Sequence, residues 1–172
     1  SADPHYIPTS QHHAAIEPGD FLLLDLWAKE QEPGAVYADI TWVALCSDHV
    51  PERYQHVCDI VASARDAAVA YIEQEMAAGR PVRGCDVDDA CRNVIEQAGY
   101  GPYFIHRTGH SLGTAGHGNG ANMDNLETND TRHLLPGTAF TIEPGIYLPG
   151  DFGVRLEIDL AVHEHGVEIT TL

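Results

Sequence analysis

The sequence predicts an α+β protein built as two similar halves, with a pair of β-strands in each half and two helices between the pairs. One observation is an internal repeat, in which a Pro-Gly pair is followed by an acid six residues after the glycine and by another acid fourteen residues later: Pro18-Gly19, Asp25 and Asp39, then Pro136-Gly137, Glu143 and Glu157. The others are the apolar stretches after each Pro-Gly and two helical patterns between them. A chain of 172 residues fits one domain, expected over residues 1–172.

The first half is predicted to begin with a strand pair. Residues 20–27 are almost continuously apolar, which is typical of a buried strand, and residues 36–45 are rich in β-forming side chains. Between them, residues 29–35 contain Pro33-Gly34 and predict a hairpin loop.

Two helices are predicted next. Pro51 and Gly79 bracket the longest helical signal, in which apolar residues recur on one face: Val57, Ile60, Val61, Ala64, Ala67, Ala68, Tyr71 and Ile72. A shorter helix is predicted over residues 86–98, with acids in its first turn, where they suit the positive end of the helix, and Gly99 after its end.

The second half is predicted to return to strands. Residues 103–107 are expected to form a short strand leading into His110, and a glycine-rich stretch at 109–120 lets backbone approach a site closely. Residues 119–132 are polar and predict an exposed loop that suits a lid. The remaining elements are expected as two strands, a turn and a last strand, at residues 139–147, 154–162, 163–166 and 167–171.

The repeat also predicts that the first half is incomplete. The second half has two helices and a strand ahead of Pro136-Gly137, whereas only residues 1–17 precede Pro18-Gly19. If the halves are structural equivalents, the first half lacks its N-terminal helices, and the chain is expected to be truncated at its N-terminus.

The charge balance excludes several classes of partner. There are 26 acids against 9 lysines and arginines, a net charge of −17, which repels nucleic acid and anionic membrane surfaces. No apolar run approaches the ~20 residues that span a bilayer. The four cysteines form no Cys-x-x-Cys pair and no secreted disulfide framework, so a reduced, cytoplasmic protein is expected.

The repeated acids and His110 together predict a metal site. An acid at the end of an apolar stretch is partly desolvated, which is costly unless the acid is protonated, paired or bound to a metal. Each acid alone could be a salt bridge or a helix cap, but the repeated spacing argues against that for all four. Four carboxylates neutralise two dications, and such a pair of ions can polarise a carbonyl and ionise water near neutral pH, which implies amide hydrolysis.

The segments around these residues resemble the signatures of the pita-bread metallopeptidases, which include methionine aminopeptidases, aminopeptidase P, prolidase and creatinase. The matching segments are His106-Arg107-Thr108-Gly109-His110, residues 141–147, Arg155-Leu156-Glu157, residues 22–25 and residues 37–41. The resemblance covers nearly the whole chain and implies the pita-bread fold. It implies that two divalent ions, Mn²⁺ or Co²⁺ first and Zn²⁺ or Fe²⁺ as alternatives, are bound by five ligands: Asp25, Asp39, His110, Glu143 and Glu157.

The resemblance also implies individual roles. Asp39 and Glu157 bridge the ions, and Glu143 also manages the proton of a metal-bridging hydroxide. His5 and His117 are carried over as catalytic residues, with His117 contacting the scissile carbonyl or stabilising the tetrahedral intermediate.

Substrate contacts are expected from His106 and His117, and from Arg155, which shares a strand face with Glu157 and could orient that carboxylate or bind substrate. The alternative interpretation of the three histidines is that they are polar loop residues. The others are assigned to the surface: His12, His13, His49, His56, His133, His163 and His165.

The short spacing between Glu143 and Glu157 resembles the aminopeptidase P and prolidase branch, which implies Xaa-Pro dipeptides or peptides with proline second as substrates. The sequence departs from that pattern at Trp27, where glycine is more usual, and at Trp42, where arginine is common. Two other functions are weighed: a non-catalytic pita-bread module that binds peptides or proteins, and a creatinase-like C–N hydrolase without metal. Retention of all five ligands argues against both, and a homodimer is left open as the assembly.

Overall fold

The two Pro-Gly pairs form the same turn in both halves, as the repeat predicts. The structure, a computed structural model, describes residues 1–171. Gly19 has φ +96° and Gly137 has φ +81°, a left-handed conformation that favours glycine. Each turn is closed by a backbone hydrogen bond, from Asp20 N to Glu17 O at 3.1 Å and from Thr138 N to Leu135 O at 3.2 Å.

The first strand pair is an antiparallel hairpin, as predicted. Strand β1 (Phe21–Ala28) pairs with β2 (Ala38–Leu45), with Asp25 opposite Thr41 and Trp27 opposite Asp39. Because directly opposed residues share a face, both acids lie on the same side of the hairpin.

The two helices form where apolar periodicity predicts them. Helix α1 (Glu52–Ala77) buries one face into the core, and α2 (Gly84–Gln97) packs beside it. Helix α2 begins at Gly84, two residues before the expected start at residue 86. Gly84 N donates to Arg132 O at 3.1 Å and Cys85 N to Asp130 O at 2.8 Å, so a distant segment satisfies the first amides of the helix. Within residues 1–171, no helix is long and apolar enough to cross a membrane.

The second half contains a four-stranded antiparallel sheet in the order β3-β4-β7-β8 and a separate β5–β6 pair. The strands are β3 (Ser111–Leu112), β4 (Ala139–Ile142), β5 (Gly145–Tyr147), β6 (Gly153–Arg155), β7 (Ile158–His163) and β8 (Gly166–Ile169). The expected strands at 139–147 and 154–162 are therefore each broken in two. The breaks occur at Glu143-Pro144 and at Leu156-Glu157, so both acids lie between strands rather than within them.

Two further expectations are corrected by the structure. Residues 103–107 do not form a strand: a 3₁₀ turn (Gly101–Tyr103) is followed by an irregular segment whose peptide groups bind side chains of α2. Residues 119–132 are only partly exposed, because Met123, Asp124 and Asp130 are buried. The Asp124 carboxylate accepts three backbone N–H groups, from residues 126–128. The longest exposed run is 125–129, and residues 119, 131 and 132 are exposed as well.

Equivalent positions of the repeat differ in how they are covered. Ile142 and Leu160 of the second half are both 0% exposed, in the core to which α1 contributes its apolar face. Their first-half equivalents Leu24 and Trp42 are 51% and 54% exposed. No helix precedes β1 in the described chain, so the outer face of the hairpin has no counterpart of α1 from that region.

Candidate metal centre

The structure brings every site residue expected from the sequence to one cavity of about 340 Å³, where the two halves meet. These residues are His5, Asp25, Asp39, His106, His110, His117, Glu143, Arg155 and Glu157. They come from both halves because Thr41 of β2 pairs with Glu157 in an antiparallel bridge, with Glu157 N donating to Thr41 O at 3.2 Å. This bridge joins the halves at the cavity.

Four of the five expected ligands form a tight buried cluster. One donor atom each from Asp39, His110 and Glu157 lies within 4.8 Å of the other two. Glu143 adjoins them, with His110 Nε2 3.5 Å from its Oε1 and 3.6 Å from Oδ2 of Asp39. The breaks in the strands place the two glutamates here, since each lies just beyond a strand end and projects from the junction.

The tautomer of His110 makes this cluster suited to a cation. Its Nδ1 lies 3.1 Å from Ser111 O, an acceptor, so Nδ1 carries the proton and Nε2 presents a lone pair. Burial lowers the pKa of His110 to about 4, which keeps the ring neutral at pH 7. Nε2 and the carboxylate oxygens that it faces are therefore all acceptors with no donor between them. Asp39 Oδ1 also has no hydrogen-bond partner. A divalent cation satisfies all of these acceptors together.

The carboxyl groups of Asp39, Glu143 and Glu157 all have a raised pKa. Burial, with the neighbouring charges of Asp25 and Asp159, raises the pKa of Asp39 to about 7. Burial is also the main cause of the raised pKa of Glu143 and of Glu157, and the nearby acids raise both further. Desolvation therefore dominates the raised pKa of all three carboxylates, and repulsion between like charges adds to it, although Arg155 and Thr141 lower the pKa of Glu143. A bound cation relieves both desolvation and repulsion.

Two buried threonines hold the glutamates, and the sequence analysis missed both. Thr41 Oγ1 donates to Glu157 Oε2 at 2.6 Å, and Thr141 Oγ1 donates to Glu143 Oε1 at 3.0 Å while accepting from His110 N at 3.0 Å. Thr41 follows Asp39 by two residues and Thr141 precedes Glu143 by two. The same-face spacing of an i, i+2 pair was the available signal.

Asp25 is the outlier among the expected ligands. Its side chain is 39% exposed and forms an ion pair with Arg155. Arg155 also donates from Nε to Thr41 Oγ1 at 3.0 Å and lies 3.9 Å from Glu143 Oε2. Asp25 thus lies at the rim of the cluster in this structure, and Arg155 reaches Glu157 only through Thr41.

Of the three histidines carried over from the resemblance, His106 is half-buried, whereas His5 and His117 are exposed. His117 is nearest to the cluster, with its ring centroid 4.2 Å from that of His110. His106 is held between Arg107 O, 2.7 Å from Nδ1, and Tyr147 Oη, 2.8 Å from Nε2, and burial lowers its pKa to about 4. His5 is exposed at the edge of the cavity.

Five other residues line the cavity but were not singled out as site residues: Pro4, Trp27, Arg107, Gly116 and Glu127. Trp27 is on the same face of β1 as Asp25 and lines the cavity. Arg107 and Glu127 also line it and form an ion pair at 3.6 Å, which brings the exposed part of the 119–132 loop to the entrance. Tyr147, from the motif around Glu143, contacts the cavity through His106. The seven histidines assigned to the surface are all exposed, as expected.

The stability of the metal-free chain is expected to fall as pH rises from about 6.5 to about 9. A carboxyl whose pKa is higher in the folded than in the unfolded chain stabilises the fold at low pH and loses that contribution as pH rises through its folded pKa. Asp39, Glu143 and Glu157 act in this direction. His106 and His110, whose pKa is lowered, oppose it only below about pH 6.5, the unfolded pKa.

The slope is expected to approach about 1.4 kcal/mol per pH unit for each extra proton held by the folded chain. Thermal unfolding followed by circular dichroism in a chelator, at several pH values across this window, measures it. Excess Mn²⁺ should remove the decline, because ligands that bind metal no longer bind protons. A flat or rising stability in the chelator would contradict the assignment of these carboxylates as buried and uncompensated.

Comparison with known proteins gives a family and a set of relatives. The sequence profile of metallopeptidase family M24 matches residues 1–164. An uncharacterized peptidase of Staphylococcus saprophyticus is 35% identical over 179 residues, which span 99% of this chain and 44% of the relative.

Solved structures show the same likeness. A dipeptidase from Pyrococcus horikoshii has a TM-score of 0.80 at 35% identity, over 99% of this chain and 43% of that one. A prolidase from Thermococcus sibiricus has 0.79 at 34%, over 99% and 42%, and an X-Pro aminopeptidase from Thermotoga maritima has 0.78 at 32%, over 100% and 44%. The likeness confirms the expected pita-bread fold. This chain spans less than half the length of these relatives.

Proposed function

The chain belongs to metallopeptidase family M24, and from this premise we propose that it carries the catalytic centre of a peptidase that holds two divalent ions and cleaves Xaa-Pro peptides. The observation that carries the proposal is the neutral His110, whose Nε2 lies 3.5–3.6 Å from oxygens of two buried carboxylates. Proteins place acceptors together in this way where a cation binds them.

The choice of Xaa-Pro substrates is supported by the relatives and by the spacing of the acids. The similar solved structures include proteins named as a prolidase and as an X-Pro aminopeptidase. The short interval between Glu143 and Glu157 resembles the same branch. We infer that this chain cleaves the bond that precedes proline, in a dipeptide or at the N-terminus of a longer peptide.

The metal ligands in this proposal are Asp39, His110, Glu143 and Glu157, joined by Asp25. Four carboxylates balance the charge of two dications, and Mn²⁺ or Co²⁺ suits a set of oxygen donors with one imidazole. When bound, such a pair supplies a polarised carbonyl and a water of lowered pKa. Asp25 forms an ion pair with Arg155 in this structure, so its carboxylate has to leave that pair in order to join the other four ligands.

The other roles belong to side chains of the chain itself. Glu143 has a carboxyl whose pKa is raised by burial, which suits a group that accepts and returns a proton near neutral pH. Thr141 fixes the orientation of that carboxylate. His117 lies beside His110 at the cavity, where it can donate a hydrogen bond to the oxygen of the scissile carbonyl.

The test of the proposed function is the metal stoichiometry of the chain. After incubation with Mn²⁺ and gel filtration, elemental analysis should find roughly two ions per chain, as expected for a two-metal site. Asp39→Ala should lower that number, whereas His163→Ala, at an exposed histidine, should leave it unchanged. A panel of Xaa-Pro and Xaa-Ala dipeptides then measures activity. A folded chain that binds no metal would contradict the proposal and favour a non-catalytic peptide-binding module.

Replacement of His117 by alanine is expected to lower kcat by about 10²-fold or more while the bound metal is retained, because removal of one hydrogen bond to a developing oxyanion costs that much. Steady-state kinetics on an Xaa-Pro dipeptide, with elemental analysis of the same sample, measures both quantities. His133→Ala is the matched control, since His133 is exposed and outside the cavity. Loss of metal in His117→Ala would make His117 a ligand and overturn its assigned role.

A further inference from the structure

The irregular segment from Phe104 to Thr108 carries His106 and leads into His110, yet no strand supports it. Its peptide groups bind two side chains of α2 instead. Arg92 donates to Phe104 O at 3.0 Å and to His106 O at 2.9 Å, and Asp88 Oδ1 accepts from Thr108 N at 2.9 Å. Alternate peptide groups of this segment are thus held by side chains on one helix face.

Asp88 and Arg92 are also paired with each other inside the protein. Two hydrogen bonds of 2.9 Å join the guanidinium to the carboxylate, and the two residues lie one helical turn apart. Asp88 is 0% exposed, and the guanidinium of Arg92 lies 4.1 Å from the centroid of the Phe104 ring. Burial of an ion pair contributes little net stability compared with apolar residues, since desolvation offsets the attraction. Stability alone is therefore a weak reason for this pair.

Asp88 also connects the 104–108 segment to the exposed loop at 125–129. The N–H of Thr108 donates to Asp88, and its carbonyl oxygen accepts a hydrogen bond of 2.7 Å from Glu143 N. The second carboxylate oxygen of Asp88 accepts from Asn125 N at 3.2 Å, at the start of the exposed loop that carries Glu127. One buried carboxylate thus contacts the histidine segment and the entrance loop, and it reaches the backbone of a metal ligand through one residue.

We propose that Asp88 and Arg92 are positioning residues for the candidate metal centre, which fix residues 104–108 so that His106 and His110 face the cavity in one orientation. The proposal rests on the proposed metal binding of that site. The two residues touch neither the ligand atoms nor the cavity. They act through backbone groups, in the way that partners outside a metal site orient its ligands.

The test compares Arg92→Gln with Arg83→Gln in the full chain, using Co²⁺ alone as the probe. Arg83 is the matched control, because it makes a similar two-bond pair with Asp86 at the start of the same helix, but its side chain is 47% exposed and does not contact residues 104–108. Arg92→Gln should weaken Co²⁺ binding by about 10- to 100-fold, the usual effect of losing such a partner. Its visible Co²⁺ absorption should also change, since that spectrum reports ligand geometry. Arg83→Gln should change neither.

A second readout does not depend on metal. Long-range ¹H–¹⁵N spectra of the imidazoles in the metal-free chain report which ring nitrogen of His106 and of His110 carries the proton. Each should be a single Nδ1–H tautomer in the unmodified chain and a mixture in Arg92→Gln. Arg92→Lys keeps the charge of arginine without its planar guanidinium. Compared with Arg92→Gln, it should therefore recover more of the folding stability than of the single-tautomer state.

The outcomes separate the two proposals. An unmodified chain that binds no Co²⁺ contradicts the proposed function, and the imidazole spectra then decide the positioning role alone. Arg92→Gln that is folded, with Co²⁺ affinity and imidazole spectra unchanged, overturns the positioning role. If Arg92→Gln does not fold, Asp88→Asn, which preserves size and one acceptor oxygen, takes its place with the same measurements and the same deciding outcomes.

Discussion

Replacement of Glu143 by glutamine is expected to lower the hydrolysis of an Xaa-Pro dipeptide by at least about 10³-fold, within the range that a general acid–base group contributes. The substitution preserves the size of the side chain and one acceptor oxygen, but it removes the negative charge and the site that takes up a proton. Thr141 orients the Glu143 carboxylate, and burial raises its pKa toward neutral pH, where it can take up and return a proton. Steady-state kinetics at saturating Mn²⁺ measures the loss.

The matched control is Glu164→Gln, at an exposed glutamate in the turn between β7 and β8, which should keep the activity of the unmodified chain. Elemental analysis of Glu143→Gln should also show fewer metal ions, since an amide is a weaker ligand than a carboxylate for such ions. Turnover at the unmodified rate in Glu143→Gln would rule out the proposed role of this residue.

Replacement of Ile142 by alanine is expected to lower the free energy of unfolding by about 2–5 kcal/mol, as for other large-to-small changes in a packed core. Ile142 is 0% exposed at the end of β4. The repeat makes Leu24 its equivalent, directly before Asp25 as Ile142 is directly before Glu143. Leu24→Ala is expected to cost less than about 1 kcal/mol, because Leu24 is 51% exposed and loses little buried area.

Urea unfolding of the two variants, prepared in the same buffer with chelator, gives both values. The pair is a matched comparison of two aliphatic residues at equivalent positions of one repeat. A cost for Leu24→Ala as large as that for Ile142→Ala would show that the outer face of the β1–β2 hairpin is covered in solution. Repeating the measurement at several protein concentrations would then tell whether another copy of the chain covers it.

The repeat singled out four acids that the structure places at one cavity. Gly19 and Gly137 adopt the same turn, and the acids that follow each turn at equal spacing all reach the cavity. The joining of the halves at Thr41 and Glu157 then brings four of the five expected ligands to one cluster.

Element boundaries were less predictable where distant groups decide them. The expected strands at 139–147 and 154–162 are each interrupted, because Glu143 N bonds to Thr108 O and Glu157 N to Thr41 O instead of continuing a ladder. The expected strand at 103–107 is replaced by a segment that binds Asp88 and Arg92. In each case the competing partner lies outside the window from which local periodicity is read.

The sequence by itself determined the α+β class and the candidate metal ligands, because period and spacing are local properties of the chain. Only the tertiary structure decided how those groups are held. It pairs Asp25 with Arg155 and Thr41 with Glu157. The physical reason is distance along the chain: Thr41 and Glu157 are 116 residues apart in sequence, and their hydrogen bond exists only once the two halves have met.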